Sequence, residues 1–219
     1  RSQLIVFFMD VQIITPDTFL YQGQADLITV PGTSGSIGIL NHHAPLVSSL
    51  KKGEKREGGP YVADDSPTKT MLGEAQWVWL KKELEKPAEV RLIGTSIQLL
   101  PEAQGQEAWG NLPRERAKLI RLVKETNAGG VIFLSGDRHW AELSCCREQT
   151  PYPLYEITSS SFNQIHPRGT PTENRFRIGE RTYHRENYGV VRIDWTPDIP
   201  TVTLEVKDME GAIRIENKM

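Results

Sequence analysis

The sequence predicts an α/β fold: a layered region of helices and strands with an antiparallel finish, preceded by a small all-β segment. Three observations predict it. Up to about residue 50, short apolar runs are cut by Pro and Gly. From 71 to 135, helical periodicity alternates with apolar strands. Beyond about 152, only strand patterns remain.

The first elements are strands. "DVQIITP" alternates Val11 and Ile13 inward and stops at Pro16; "QADLITVPG" is closed by Pro31-Gly32; "GSIGIL" is a third short strand. Residues 51–69, "KKGEKREGGPYVADDSPTK", are charged, Gly- and Pro-bearing and without period, which reads as a linker or long exposed loop. The chain is therefore expected to divide into a β segment over 1–53, a linker over 54–69 and a main region over 70–219.

In the main region, "MLGEAQWVWLKKELEK" predicts a helix over 71–86, with Leu72, Ala75, Gln76, Trp79, Leu80 and Leu84 on one face and Pro87 at its end. "EVRLIGTSIQLL" follows as a strand. A second helix is predicted over 114–127: Pro113 opens it, Ala117, Leu119, Ile120 and Val123 make its apolar face, and Gly129-Gly130 stops it. The strand at 130–135 is continuously apolar and predicted to be buried on both faces. "PLYEITSSS", "YGVVRIDW", "TVTLEVKDM" and "AIRIENK" are four more strands.

Composition excludes several classes. The 219 residues carry a formal net charge of −2, so no general attraction to nucleic acid or anionic membrane follows. No apolar run approaches the roughly 18 residues of a spanning helix, so no membrane insertion is expected. "RSQLIVFFMD" lacks the longer apolar region and cleavage site of a signal peptide, which makes the cytoplasm the default expectation. An opening arginine points to a fragment or processed chain. The two cysteines, Cys145 and Cys146, are neighbours, which disfavours a bridge; one buried and one outward thiol on a strand is expected.

Four stretches invite a chemical reading. "PGTSGSIG", with Gly32, Gly35 and Gly38, has the glycines of a phosphate loop but lacks the helix whose amides would face the anion, so a hairpin turn is expected. His42 and His43 are adjacent and point to opposite faces of an extended chain, which disfavours a shared metal. Asp64 and Asp65 read as solvated loop carboxylates. "GVIFLSGDRHWAEL" differs. A buried strand halts at Ser135-Gly136 and delivers Asp137 and His139, which share a face if the strand end stays extended. A carboxylate and an imidazole suit a hard or borderline metal, and open α/β sheets place ligands at strand carboxyl ends. The competing reading is a solvated turn in which Asp137 caps amides and His139 packs on Trp140; on the residues alone it stands slightly ahead. Arg138 reads as a surface or ion-pairing residue.

Six segments in order, "TKTMLGEAQWVWLKKEL", "IGTSIQLLP", "EAWGNLPRERAKLIRLV", "GVIFLSGDRHWAELS", "YPLYEITSSSFN" and "ENRFRIGE…ENYGVVRID", resemble the alkaline phosphatase D (PhoD-like) family from about residue 60 onward. The resemblance implies a metallophosphatase-like layered α/β piece that hydrolyses phosphomonoesters or phosphodiesters with iron and calcium or similar ions. It also implies that Asp137 and His139 are metal ligands, with His139 in the catalytic centre. The family's upstream ligands, an early aspartate motif and an Asp-Asp-His-Asp-like cluster, have no counterpart in this sequence. Residues 1 to about 53 instead resemble the N-terminal β-sandwich of the ATP synthase epsilon subunit, through "ITPD", "VPGTSGSIGIL" and "HAPLVSSLKKG". That second resemblance implies binding to ATP synthase subunits without catalysis. With two ligands in hand, the sequence predicts weak or absent phosphatase turnover by this chain alone.

Overall fold

The computed structural model describes residues 61–102, 106–162, 165 and 173–219 in full, and four earlier strands by their backbone. The earlier strands form two antiparallel hairpins. β1 (Met9–Ile14) pairs with β2 (Phe19–Ala25), and β3 (Leu27–Gly32) pairs with β4 (Gly35–Leu40). Gly32 pairs with Gly35, so the glycines at 32, 35 and 38 lie in paired strands and not ahead of a helix; the turn expected between them lies outside the described residues. β2 was not anticipated as a separate strand. His42 and His43 lie outside the described residues.

The main region has three layers. Helices α1 (Glu74–Glu85) and α2 (Pro113–Glu125) cover one face of a four-stranded sheet in the order β5-β6-β8-β7. Its strands are β5 (Arg91–Gly94), β6 (Val131–Ser135), β7 (Ala141–Cys146) and β8 (Leu154–Ser159). An antiparallel sheet of β9 (Asn187–Asp194), β10 (Thr201–Asp208) and β11 (Ile213–Lys218) covers the other face. The strand period of two sorts the side chains. Ile93, Val131 and Phe133 enter the core under the helices, while Leu92, Ile132 and Ile157 meet Val202, Leu204 and Val206 of the second sheet. β6 is thus buried on both faces, as its unbroken apolar run predicts. Each fully buried leucine in these layers contributes about 2 kcal/mol.

β5, β6 and β8 run parallel, and β7 returns antiparallel along β8. This topology positions everything that follows. Three parallel strands end at one edge of the sheet, and β6 reaches β7 through the turn at Gly136–Trp140.

Several predicted boundaries shift, each for a local reason. α1 begins at Glu74 rather than at 71, because the amides of Met71 and Leu72 are held by the buried Glu115 carboxylate of α2 at 2.9 and 3.1 Å. Its inner face is Trp77, Leu80 and Leu84, while Ala75 and Gln76 do not enter the core. α2 ends at Glu125, before the glycines. Asn127 takes a φ of 51°, its amide reaches the Lys124 carbonyl at 3.1 Å and the Ala128 amide reaches Val123 at 3.1 Å, which is a Schellman termination built on Asn. Gly130 serves another purpose: with φ at +64°, a Cβ there would sit 1.9 Å from the Glu89 carbonyl oxygen. The strand expected over 89–100 stops at Gly94, because the Leu99 and Leu100 amides bond to the Glu156 carboxylate instead of a ladder. Cys145 is half-buried and Cys146 buried, both free.

Candidate active site at the carboxyl edge of the sheet

The parallel strands end in small polar residues: Thr95-Ser96 after β5, Gly136-Asp137 after β6 and Ser160-Ser161 after β8. They lie close together. A Cβ added at Gly136 would stand 3.6 Å from the Ser160 Cβ and 3.6 Å from the Ser96 carbonyl oxygen, so the turn leaves the sheet between its two neighbours. This is the edge where open α/β sheets bind ligands.

Asp137 and His139 occupy the turn from β6 to β7, both half-buried. Their backbone is not an extended strand end. Asp137 has φ 67° and His139 φ 57°, both left-handed. The sequence argument that residues two apart share a face therefore does not apply here, because that period belongs to extended chain. Left-handed Asp and His are less costly than most residues, yet each still carries about 1 kcal/mol of strain. The surroundings impose it. The His139 amide donates to Ser160 Oγ at 2.9 Å, and that hydroxyl donates to the Trp140 carbonyl at 3.3 Å. Between the two left-handed residues, Arg138 is turned inward.

Arg138 is only 5% exposed, so of its two readings, surface or ion-pairing, the surface one is corrected. Its guanidinium lies 4.4 Å from the centre of the Trp140 ring, and Nη1 reaches Gln106 Oε1 at 3.5 Å. Burial lowers its pKa, and the Glu142 and Asp137 carboxylates oppose that shift. On its opposite side Glu142, fully buried, accepts from Gln98 Nε2 at 2.6 Å and from Arg177 Nε at 2.7 Å. Gln98 continues to Thr158 Oγ1 at 2.9 Å, and Thr158 to Ser135 Oγ at 2.9 Å. A buried polar network therefore ties β6, β7 and β8 together.

On the outer side, Tyr61 donates to Glu107 Oε2 at 3.2 Å. Its phenol is pushed up first by burial, then by the Glu107 carboxylate, and last by the Asp137 carboxylate. His184 meets the Trp140 ring at a tilt of 49° with ring centroids 5.4 Å apart and shares a hydrogen bond with Thr182 Oγ1 at 2.8 Å. Sequence reasoning missed Tyr61, Glu107, Glu142, Ser160 and His184. A signal existed only for Ser160: the Ser159-Ser160-Ser161 run directly after an apolar strand. Asp64 is half-buried and accepts from the Ser66 amide at 2.8 Å, and Asp65 is exposed and pairs with Arg114 at 3.1 Å.

Asp137 and His139 have the donor chemistry of a metal centre, a hard carboxylate and a borderline imidazole. Two donors fit the margin of such a centre and do not enclose one. Among the described residues, no group of three or more His, Cys, Asp or Glu could hold a metal ion. No helix among them is long and apolar enough to cross a membrane.

Residues 45–204 match the family described as PhoD-like phosphatase. The chain belongs to the PhoD-like phosphatase family. Its β-layered fold is similar to a solved structure of PhoD, with a TM-score of 0.55 over 90% of this chain at 14% identity; the chain spans 41% of that protein's length. Residues 8–57 match a second family, the β-sandwich domain of the ATP synthase delta/epsilon chain. The ATP synthase epsilon chain of Leptospira borgpetersenii is 32% identical over 105 residues, covering 42% of this chain and 80% of the relative. That of Acidithiobacillus ferridurans is 42% identical over 138 residues, covering 53% of this chain and 94% of the relative. The chain thus joins an epsilon-type segment to a PhoD-like region, and the two matches overlap over 45–57.

Proposed function

We propose that the PhoD-like region is a metal-dependent phosphoesterase unit acting on phosphomonoesters or phosphodiesters, with Asp137 and His139 as metal ligands and His139 in the catalytic centre. The observation that carries this reading is the position of the Gly-Asp-Arg-His turn: it leaves a central, doubly buried strand at the carboxyl edge of a parallel sheet in a chain of this family. Iron and calcium are the ions proposed, and a bound ion would supply Lewis-acid stabilisation of the phosphoryl oxygens. Asp137 and His139 hold it weakly because they are two. Turnover by this chain alone is accordingly low. The division into segments 1–53, 54–69 and 70–219 belongs to the same proposal.

The test is hydrolysis of a chromogenic phosphodiester and a chromogenic phosphomonoester with added iron and calcium. The expected result is slow, metal-dependent turnover that disappears in Asp137→Asn and His139→Ala. Equal rates in all three proteins would remove both residues from the site.

A second reading rests on the N-terminal match. The epsilon-type segment binds ATP synthase subunits, supported by the family match over 8–57. Titration of the chain into an ATP synthase catalytic sector stripped of its own epsilon chain should give saturable binding; none at micromolar concentrations would dismiss it.

A further inference from the structure

We propose that Ser160 is the positioning residue of this edge: its hydroxyl locks the left-handed turn and thereby sets the direction of the His139 imidazole. This rests on the reading of His139 as a metal ligand, and it concerns a residue of a different strand. Ser160 follows β8, and the turn it serves follows β6.

The hydroxyl uses both of its capacities on one peptide neighbourhood. It accepts from the His139 amide at 2.9 Å and donates to the Trp140 carbonyl at 3.3 Å. These two backbone groups flank the peptide that leaves His139, so one side chain pins the residue on both sides. Ser160 is 6% exposed, so water has little access to take its place. The pinning is needed because His139 sits at φ 57°, a conformation that an L-residue holds only when its surroundings over-determine it. The serine is itself held. The following residue, Ser161, is fully buried, and its carbonyl accepts the Asn187 amide at 3.0 Å, while Asn187 Oδ1 accepts from Ser159 Oγ at 2.7 Å. β8 and the start of β9 thus form a rigid mount. Ser160 also lies near Gly136, where the turn begins: a Cβ built there would stand 3.6 Å from the Ser160 Cβ. Ser160 therefore stands beside the beginning of the Gly-Asp-Arg-His turn and is hydrogen-bonded at its end.

The experiment compares the full chain with Ser160→Ala and Ser160→Thr. Two quantities are read: hydrogen-exchange protection of the His139 amide, and Co²⁺ affinity from the visible absorption of the bound ion. Exchange at Phe133, in the centre of β6, serves as the control for an intact fold. The expected result is that Ser160→Ala loses at least tenfold of His139 protection and of Co²⁺ affinity while Phe133 stays protected, and that Ser160→Thr restores both. Unchanged His139 protection in Ser160→Ala overturns the proposal. So does lost protection with Co²⁺ affinity as in the parent chain. If no variant, nor the parent, takes up Co²⁺, the metal reading of His139 falls; protection lost in Ser160→Ala and regained in Ser160→Thr then still establishes Ser160 as the lock of the turn.

Discussion

His139 stores backbone strain where most residues would relax. Glycine at that position should recover it, since glycine adopts a left-handed φ without the Cβ clash. His139→Gly is expected to raise the unfolding free energy by about 1 kcal/mol relative to His139→Ala in urea denaturation, while both lose any bound ion. A lower stability for the glycine variant would mean that the turn is not left-handed there. Asp137 is a poorer test, because the buried Arg138 guanidinium leans on its charge. Glu156 offers a test in pH. Burial holds its carboxyl above the ordinary value of 4.5, against the opposing hydrogen bonds from Ser135, Leu100 and Leu99. A folded state that binds the proton more tightly is favoured at low pH. Its contribution is complete below 4.5 and is lost as pH rises through the higher folded value. Glu156→Gln should therefore flatten the fall of urea midpoint with rising pH above 4.5. An unchanged slope would place the pH dependence elsewhere. Asp194, Glu205 and Asp208 act in the opposite sense: their carboxyls are held low, so their share is lost as pH falls below the usual carboxylate range.

The two helices are linked by one carboxylate as well as by apolar packing. Glu115 on α2 accepts the Met71 and Leu72 amides and the Trp77 indole N–H at 3.2 Å, all in a buried setting. Glu115→Ala leaves three donors without an acceptor and is expected to cost about 3 kcal/mol, because an unmade buried hydrogen bond costs its donor's desolvation. Urea denaturation followed by tryptophan fluorescence reports both the loss and the freeing of Trp77. A change below about 1 kcal/mol would show that water replaces the carboxylate. The same contact explains why α1 begins late. Leu72 fits the helical period perfectly well in sequence, but its amide is engaged across 43 positions of chain. The α2 terminus shows the converse. Asn127 is a legible helix stop, because Asn tolerates the left-handed φ that ends a helix.

Across the three layers, the central sheet divides the core into two apolar clusters that share strands without sharing side chains. Ile93 belongs to the helix side and Ile157 to the second sheet. Ile93→Val and Ile157→Val should each cost about 1 kcal/mol. Their double variant should cost the sum to within about 0.4 kcal/mol, because the two side chains belong to different apolar clusters. Strong coupling between them would mean that the layers repack as one body. The mixture of helices and strands was visible in the periodicities: two helical stretches, a doubly apolar strand and an alternating finish. The strand order β5-β6-β8-β7 was not, because pairing depends on contacts distant in sequence.

Local chemistry in the chain determined the helices, the buried strand at 131–135, the glycine-bearing hairpin and the Gly-Asp-Arg-His motif with its two candidate ligands. These depend on period and residue type over a few positions, and such signals survive in any context. The conformation of that motif could not be read the same way. Asp137 and His139 look like a strand end in sequence, and they are a left-handed turn in the folded chain. Ser160, just after β8, holds that turn through the His139 amide and the Trp140 carbonyl, and Arg138 within it is buried against the Trp140 ring. Backbone angles at a strained site are chosen by whatever the neighbouring strands supply, and only the packed sheet brings those neighbours together.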